Sequence, residues 1–316
     1  MNTIPLYFNE RQINRTILGG KEKAPNAKMN VAAIVLNASW SDFRANIIDS
    51  LVKCGFREII SIEVAAQNYN LEDFSRRFPF VKFVFPLERC TDGDLINIGV
   101  AESDSEYFIV LRDSLKFTTN LMTPTLFQKI TEEKPFCVTP RLLGPKESSF
   151  PIVFSPSVER SQLKIEETAV VSDGEANLYP FDYMGLYERT KFIDLGGFDY
   201  TISSPYWQNL DLALRAWLWG ERSVLSTAFS LVYETRIPDI DPSPCQASNR
   251  FYLKNLLPRF DTDHAFIPVS SFFVFSLRSA CGFFESVNQF KEARLWTEKN
   301  KYRFKRDAFN LVENWR

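Results

Sequence analysis

The chain has 316 residues, 45% hydrophobic and 15% aromatic, enough to bury a large core in one domain or two closely packed lobes. Its net charge of −2 leaves no general attraction to nucleic acid or to anionic membranes. Five scattered cysteines, no Cys-x-x-Cys and a single histidine, His264, count against a Cys/His zinc centre.

Reduced thiols and a cytoplasmic location are the expectation. Met1–Glu10 lacks the basic region and apolar run of a signal peptide, and no stretch is long and uncharged enough to span a bilayer. Residues 1–29 are polar and mixed and read as an arm packed on the body. Gln12–Thr16 makes a poor strand, which counts against Gly19-Gly20 as a nucleotide-binding loop. Val31–Leu36 is a continuous apolar run, the mark of a buried strand. Asn37–Asp42 follows as loop and cap, and Phe43, Ile47, Ile48 and Leu51 make a helical face closed by Gly55. Glu58–Ile62 is a second strand, so a parallel strand-helix-strand unit is expected. Phe80–Phe85 and Tyr107–Leu111 are further strands, with a helix over Leu95–Ala101 between them.

In an open α/β sheet, ligands bind beyond the carboxyl ends of the strands. Those ends carry Asn37, Glu63 and Arg112-Asp113-Ser114. No Gly-x-Gly-x-x-Gly follows the first strand, which disfavours a dinucleotide site. Residues 118–180 are rich in Pro, Ser and charge and read as an irregular crossing segment that joins the lobes over the cleft. Asn177–Arg189 mixes aromatics with acids, a composition that suits sugar stacking through residues such as Asp182 and Tyr183, or plain core packing.

The next stretch organises the chain. Gly196-Gly197-Phe198-Asp199 is followed by a short polar loop and a well-marked helix. Ser204 is placed to cap it, Pro205 suits its first turn and Gly220 its left-handed end. Leu210, Leu214, Trp217 and Leu218 share one face, with Asp211 and Arg215 four apart at its edge. That pair is either a structural ion pair or a carboxylate at the wall of a pocket. Ser223–Glu234 reads as strand and loop. Phe266–Phe284 is a broken aromatic stretch, either a buried helix or a surface helix touching a membrane. The last helical pattern, with Ala308, Leu311, Val312 and Trp315 on one face, packs on the body or on a second copy in a homo-oligomer.

Gly-Gly-Phe-Asp, a polar loop and a helix carrying Asp211-Leu-x-x-Arg215 resemble the acceptor half of family 2 glycosyltransferases. Asp94-Leu-Ile-Asn97-Ile-Gly99 before the strand at Tyr107 resembles that family's Asn-x-Gly segment. The resemblance spans residues 30–235. It implies an α/β fold of the GT-A type: a mostly parallel central sheet flanked by helices. The nucleotide-binding half would be 30–117, the acceptor half 118–240, and a mostly helical extension 241–316. It implies transfer of a sugar from a nucleotide-sugar to a saccharide or lipid-linked acceptor, in polysaccharide or glycoconjugate synthesis. Peripheral contact with the inner face of a membrane is the accompanying expectation.

By position, Asn37, Glu63, Asp94, Asn97, Arg112 and Asp113 would bind the nucleotide. Asp182, Tyr183, Trp207, Gln208, Asn209 and Arg215 would face the acceptor. The family's Asp-x-Asp pair holds a divalent cation, Mg2+ or Mn2+, on the diphosphate; here only Asp113 remains, beside Arg112, which offers the phosphates a fixed cation instead. The family's Glu-Asp-x-Asp junction reads Gln208-Asn209-Leu210-Asp211, so the general base falls to Asp211, with Asp199 and Asp182 behind it. Tyr233 stands where many relatives have a metal-binding His. These departures also fit a catalytically inactive nucleotide- or saccharide-binding scaffold.

Overall fold

A computed structural model describes residues 3–37, 44–64, 71–118, 121–159 and 162–315. Phe43, and the parts of two sequence-level readings at 38–42 and 65–66, lie outside them. In chain order the elements are β1 (Arg15–Gly19), β2 (Met29–Asn37), α1 (Arg44–Cys54), β3 (Phe56–Glu63), α2 (Leu71–Arg77), β4 (Val81–Pro86), α3 (Asp92–Ala101) and β5 (Tyr107–Arg112). Then come α4 (Pro124–Thr131), β6 (Cys137–Leu143), β7 (Val153–Glu159), β8 (Gln162–Thr168), β9 (Leu186–Glu188), α5 (Arg189–Asp194), α6 (Pro205–Leu218) and β10 (Ser223–Val232). The last part holds α7 (Gln246–Phe251) with a π-helical turn (Tyr252–Leu256), β11 (Arg259–Asp261), β12 (His264–Phe266), α8 (Ser271–Arg278), α9 (Phe283–Asn300) and α10 (Ala308–Glu313).

Eight strands form one sheet in the order β1-β4-β3-β2-β5-β9-β6-β10. β1 and β9 run antiparallel to their neighbours and the other six share one direction. β2 shows why the sheet is buried on both faces. Val31, Ala33 and Val35 belong to the core on one side, with Ile47, Ile48 and Leu51 of α1. Ala32, Ile34 and Leu36 belong to the core on the other side, with Leu95, Ile96 and Ile98 of α3. Alternate side chains leave a strand on opposite faces, so a continuous apolar run is what two covering layers require.

Three expectations are corrected. The arm is more than a wrapping, because β1 forms the sheet's edge on β4 with Gly19 pressed against it; a Cβ there would lie 2.2 Å from the Val81 carbonyl oxygen, and its φ is +75°. The crossing segment is not irregular: it contributes α4, β6 of the main sheet and the β7–β8 hairpin. Helix α6 is not one-faced. Every residue from Gln208 to Leu218 is buried, because α7 and its π-turn pack on the side expected to face a cleft. Its Ser204 cap forms through the backbone alone, with no side-chain bond. At its far end Trp217 meets Trp315, ring centroids 4.6 Å apart, which places the chain's last helical segment on the body.

Candidate active site

Strand order reverses between β2 and β5, since β3 and β4 lie on one side and later strands on the other. A switch point of this kind is where a ligand crevice is expected at the carboxyl edge of a parallel sheet. Asn37 ends β2 and Arg112 ends β5, and the Asp113 amide donates to the Leu36 carbonyl between them, 3.2 Å. β9 is antiparallel, with Leu186 opposite Ile109, so the residues just before β9 fall on the same edge. β10 is parallel to β6 and delivers Tyr233 there, bridged to Leu115. The start of α3 brings Asp92.

These elements converge on one cluster. The Arg112 guanidinium donates through Nε to Asp182 Oδ2 at 3.0 Å and through Nη2 to Asp182 Oδ1 at 2.5 Å and to Asp92 Oδ2 at 2.7 Å. The Tyr233 hydroxyl donates to Asp182 Oδ2 at 3.2 Å. Burial works against the Arg112 charge, yet the two carboxylates outweigh it and hold the group firmly protonated. Burial raises the Asp182 carboxyl above the usual range, with Arg112 and Tyr233 opposing. Asp182 and Tyr183 also sit at φ +51° and +63°, a backbone conformation that non-glycine residues adopt at a cost of about 1–3 kcal/mol each. Two such residues in succession are held by what surrounds them: Tyr183 donates to the Pro205 carbonyl at 2.8 Å, and Phe181 and Met184 are buried.

Asn37 and Glu63 make a second polar group on the same edge. Asn37 Nδ2 donates to Ser61 Oγ at 2.5 Å and to Glu63 Oε1 at 3.1 Å, and Ser61 Oγ donates to Glu63 Oε1 at 2.7 Å. These bonds tie the paired ends of β2 and β3 together.

The remaining sequence-level candidates are engaged with other parts of the protein, Asp94 and Asn97 along a small cleft beside Phe198. Asp94 is 2% exposed; it completes a capping box with Thr91 and pairs with Arg11 at 2.8 Å. Asn97 exchanges two bonds with the Phe198 backbone, 2.8 and 3.0 Å, which ties α3 to the Gly-Gly-Phe-Asp turn. Gln208 is fully enclosed and bonds Gly93, Tyr183, Thr91 and the Asp199 carbonyl. Asn209 donates to the Pro180 carbonyl at 2.7 Å. Trp207 is half-buried, its indole N–H on the Ser243 carbonyl. In Asn177–Arg189 most of the aromatics pack in the core, Phe154 stacking on Tyr179 at 4.1 Å and Phe108 on Tyr187 at 5.0 Å, and Asp182 alone of that stretch brings a charge to the crevice cluster.

Asp211 and Asp199 lie beneath α6 in a closed ion network. Lys254 of the π-turn donates to Asp199 at 2.7 Å and to Asp211 at 2.9 Å, and Arg215 and Asn255 complete the Asp211 shell at 2.9 and 2.7 Å. Both cationic partners of Asp211 and Asp199, Arg215 and Lys254, and the acids themselves are at most 4% exposed. In this arrangement the protein itself supplies the donors that bond both carboxylates. Of the two readings of Asp211 with Arg215, the geometry matches the ion pair. Lys254 carried no signal in the sequence, because nothing in Tyr252–Leu256 marks it as an interior cation. Asp92 had one: it opens α3 directly after its Thr91 cap.

The donor set does not suit a divalent cation. Asp92 and Asp182 are already bound to Arg112, Tyr233 offers no metal-binding nitrogen, and among the described residues no group of three His, Cys, Asp or Glu is placed to hold one. No family model matches the sequence, and no curated protein matches it. Solved structures do. The crystal structure of GalNAc-T7 with UDP, GalNAc and Mn2+ superposes with a TM-score of 0.59 over 90% of this chain, at 12% identity.

The fold is of the GT-A glycosyltransferase type.

A second GT-A structure, S. aureus TarS 1-349, covers 86% of this chain and 72% of its own at 12% identity and a TM-score of 0.48. The chain spans 57% of the GalNAc-T7 chain it matches. At this identity the likeness is one of GT-A fold.

Proposed function

We propose that this chain transfers a sugar from a nucleotide-sugar donor to a saccharide or lipid-linked acceptor, in glycoconjugate or polysaccharide synthesis at the cytoplasmic side. The observation that carries the proposal is the Arg112–Asp182–Asp92–Tyr233 cluster at the switch point of a GT-A sheet. Departing diphosphate needs a cation. Arg112 supplies one that is permanently charged and held in place, a role a metal plays elsewhere. Attack by an acceptor hydroxyl needs a base, and Asp182 is an acid at this edge whose proton affinity burial has raised. Asn37, Glu63 and Asp113 then line the nucleotide side, while Asp94, Asn97, Gln208, Asn209 and Arg215 hold the frame.

Calorimetry with uridine, guanosine and cytidine diphosphates, followed by the corresponding sugar nucleotides and product analysis, tests the proposal. One of them should bind, and Arg112→Ala should weaken it about tenfold or more, since a charged hydrogen bond contributes about 1.5–3 kcal/mol. Glu63→Ala should weaken it as well. Binding without turnover on any acceptor indicates a scaffold; no binding at all removes the nucleotide site.

Chelation separates an arginine-based site from a metal-based one. Nucleotide affinity should be unchanged by EDTA and unaffected by added Mn2+. A loss with EDTA that Mn2+ restores means Asp113 finds further ligands on donor binding.

A further inference from the structure

Of the two readings of Phe266–Phe284, a buried helix or a surface one, the buried helix is not what the structure shows. In α8 only Phe275 is buried, whereas Phe273 is 71% and Leu277 90% exposed, and Phe284 at the start of α9 is 83% exposed. Phe275 and Phe272 anchor the pair of helices on Phe290, and the rest of the aromatic surface is left in solvent. Between α9 and the segment from Phe266 to Phe273 at the start of α8 runs an open groove of about 740 Å³, largely apolar, with Lys291, Arg294 and Glu298 on its α9 side. An exposed apolar surface rimmed by charge marks an interaction site rather than chance exposure.

We propose that the α8–α9 hairpin docks this protein on the surface of an anionic lipid bilayer. The charge pattern selects that occupant. Arg278, Lys291 and Arg294 are exposed around the apolar surface; of the acids on α9, Glu292 is engaged by Arg250, Glu298 by Lys301, and Glu285 accepts a bond from Gln289. The chain as a whole is acidic, so this face is locally reversed in sign. A two-fold contact with a second copy sets a patch against itself and brings like charges together. Lipid headgroups of negative charge meet the same cations favourably, while aromatic and leucine side chains enter the acyl boundary. Among the described residues no helix is long and apolar enough to cross a membrane, so the contact is one of lying on the surface.

Vesicle flotation of the full chain tests this, with phosphatidylcholine vesicles made with and without phosphatidylglycerol. The wild type should float with the anionic vesicles, less so as salt is raised. Combined Phe273→Ser, Leu277→Ser and Phe284→Ser should lower the floating fraction about tenfold or more, and these exposed positions leave folding intact. Lys291→Glu with Arg294→Glu should abolish the preference for anionic vesicles. A wild type that floats with neither vesicle overturns the proposal. So does a dimer in sedimentation that the three serine substitutions dissociate, because the hairpin would then be covered by a second copy.

Discussion

Asp182→Asn should lower sugar transfer by about a hundredfold or more while nucleotide binding is kept. The amide preserves shape and still accepts a bond from Arg112, which also retains Asp92 at 2.7 Å. What disappears is the proton acceptor. Asp182 suits the task because burial lifts its carboxyl above the ordinary aspartate range, and proton transfer is most effective to a base whose pKa lies nearer the working pH. The sign follows for the wild type: as pH falls through that raised value, Asp182 takes up a proton and activity declines, at a higher pH than an exposed aspartate would show. In the folding equilibrium the same raised value works the other way, since the folded state holds the proton more tightly and gains relative stability below it. Steady-state rates against pH, with calorimetry on the same preparations, measure both. An Asp182→Asn protein that transfers at the wild-type rate moves the base to Asp92.

Lys254→Met should destabilise the protein by about 3–5 kcal/mol, the range for breaking a buried ion pair from one side. The ammonium lies 2.7 Å from Asp199 and 2.9 Å from Asp211, and all three groups are at most 1% exposed. Burial alone would raise the Asp199 carboxyl; the Lys254 charge and hydrogen bonds from Lys254 and Thr201 outweigh it and hold it below the usual range. A carboxylate with a lowered folded pKa contributes stability above its unfolded value and loses it as pH falls through the folded one. The wild type should therefore lose this contribution only below the ordinary aspartate range. In Lys254→Met burial is no longer opposed by the ammonium, so mild acid should recover part of the lost stability. Urea titrations over a pH series read both slopes, and a variant as stable as wild type at neutral pH would show that the network is solvated. Asp211→Asn belongs to the same experiment and should register as lost stability rather than lost chemistry.

The strands from β2 to β5 were legible because each is a short apolar run bounded by turn residues, and burial on both faces leaves no polar alternation to confuse. Strand β6 was hidden by Pro140. A proline is admissible there because β9 pairs only with Cys137 and Val138, and the β10 register slips just after Ser226, opposite Pro140. At the site, Arg112 was recognised as the group replacing an acid, but the partner acids were not assigned to it. They come from positions 20 and 70 residues away, a separation that no local pattern reports. Asp211 was drawn into the mechanism by its place in a motif. The residues that enclose it, Lys254 and Asn255, come from a segment where the resemblance had already ended.

The two-way bond between Asn97 and Phe198 sets an order on how the chain can assemble. Helix α3 emerges from the ribosome 101 residues before the backbone that satisfies its buried amide. Strand β5 waits from Ile109 to Leu186 for β9, and until then presents an unpaired edge in the middle of what becomes the sheet. The contacts that complete the first half are therefore nonlocal, and loop-closure entropy makes such contacts late ones. The later part of the chain thus closes the sheet and the helix contacts that the earlier part begins.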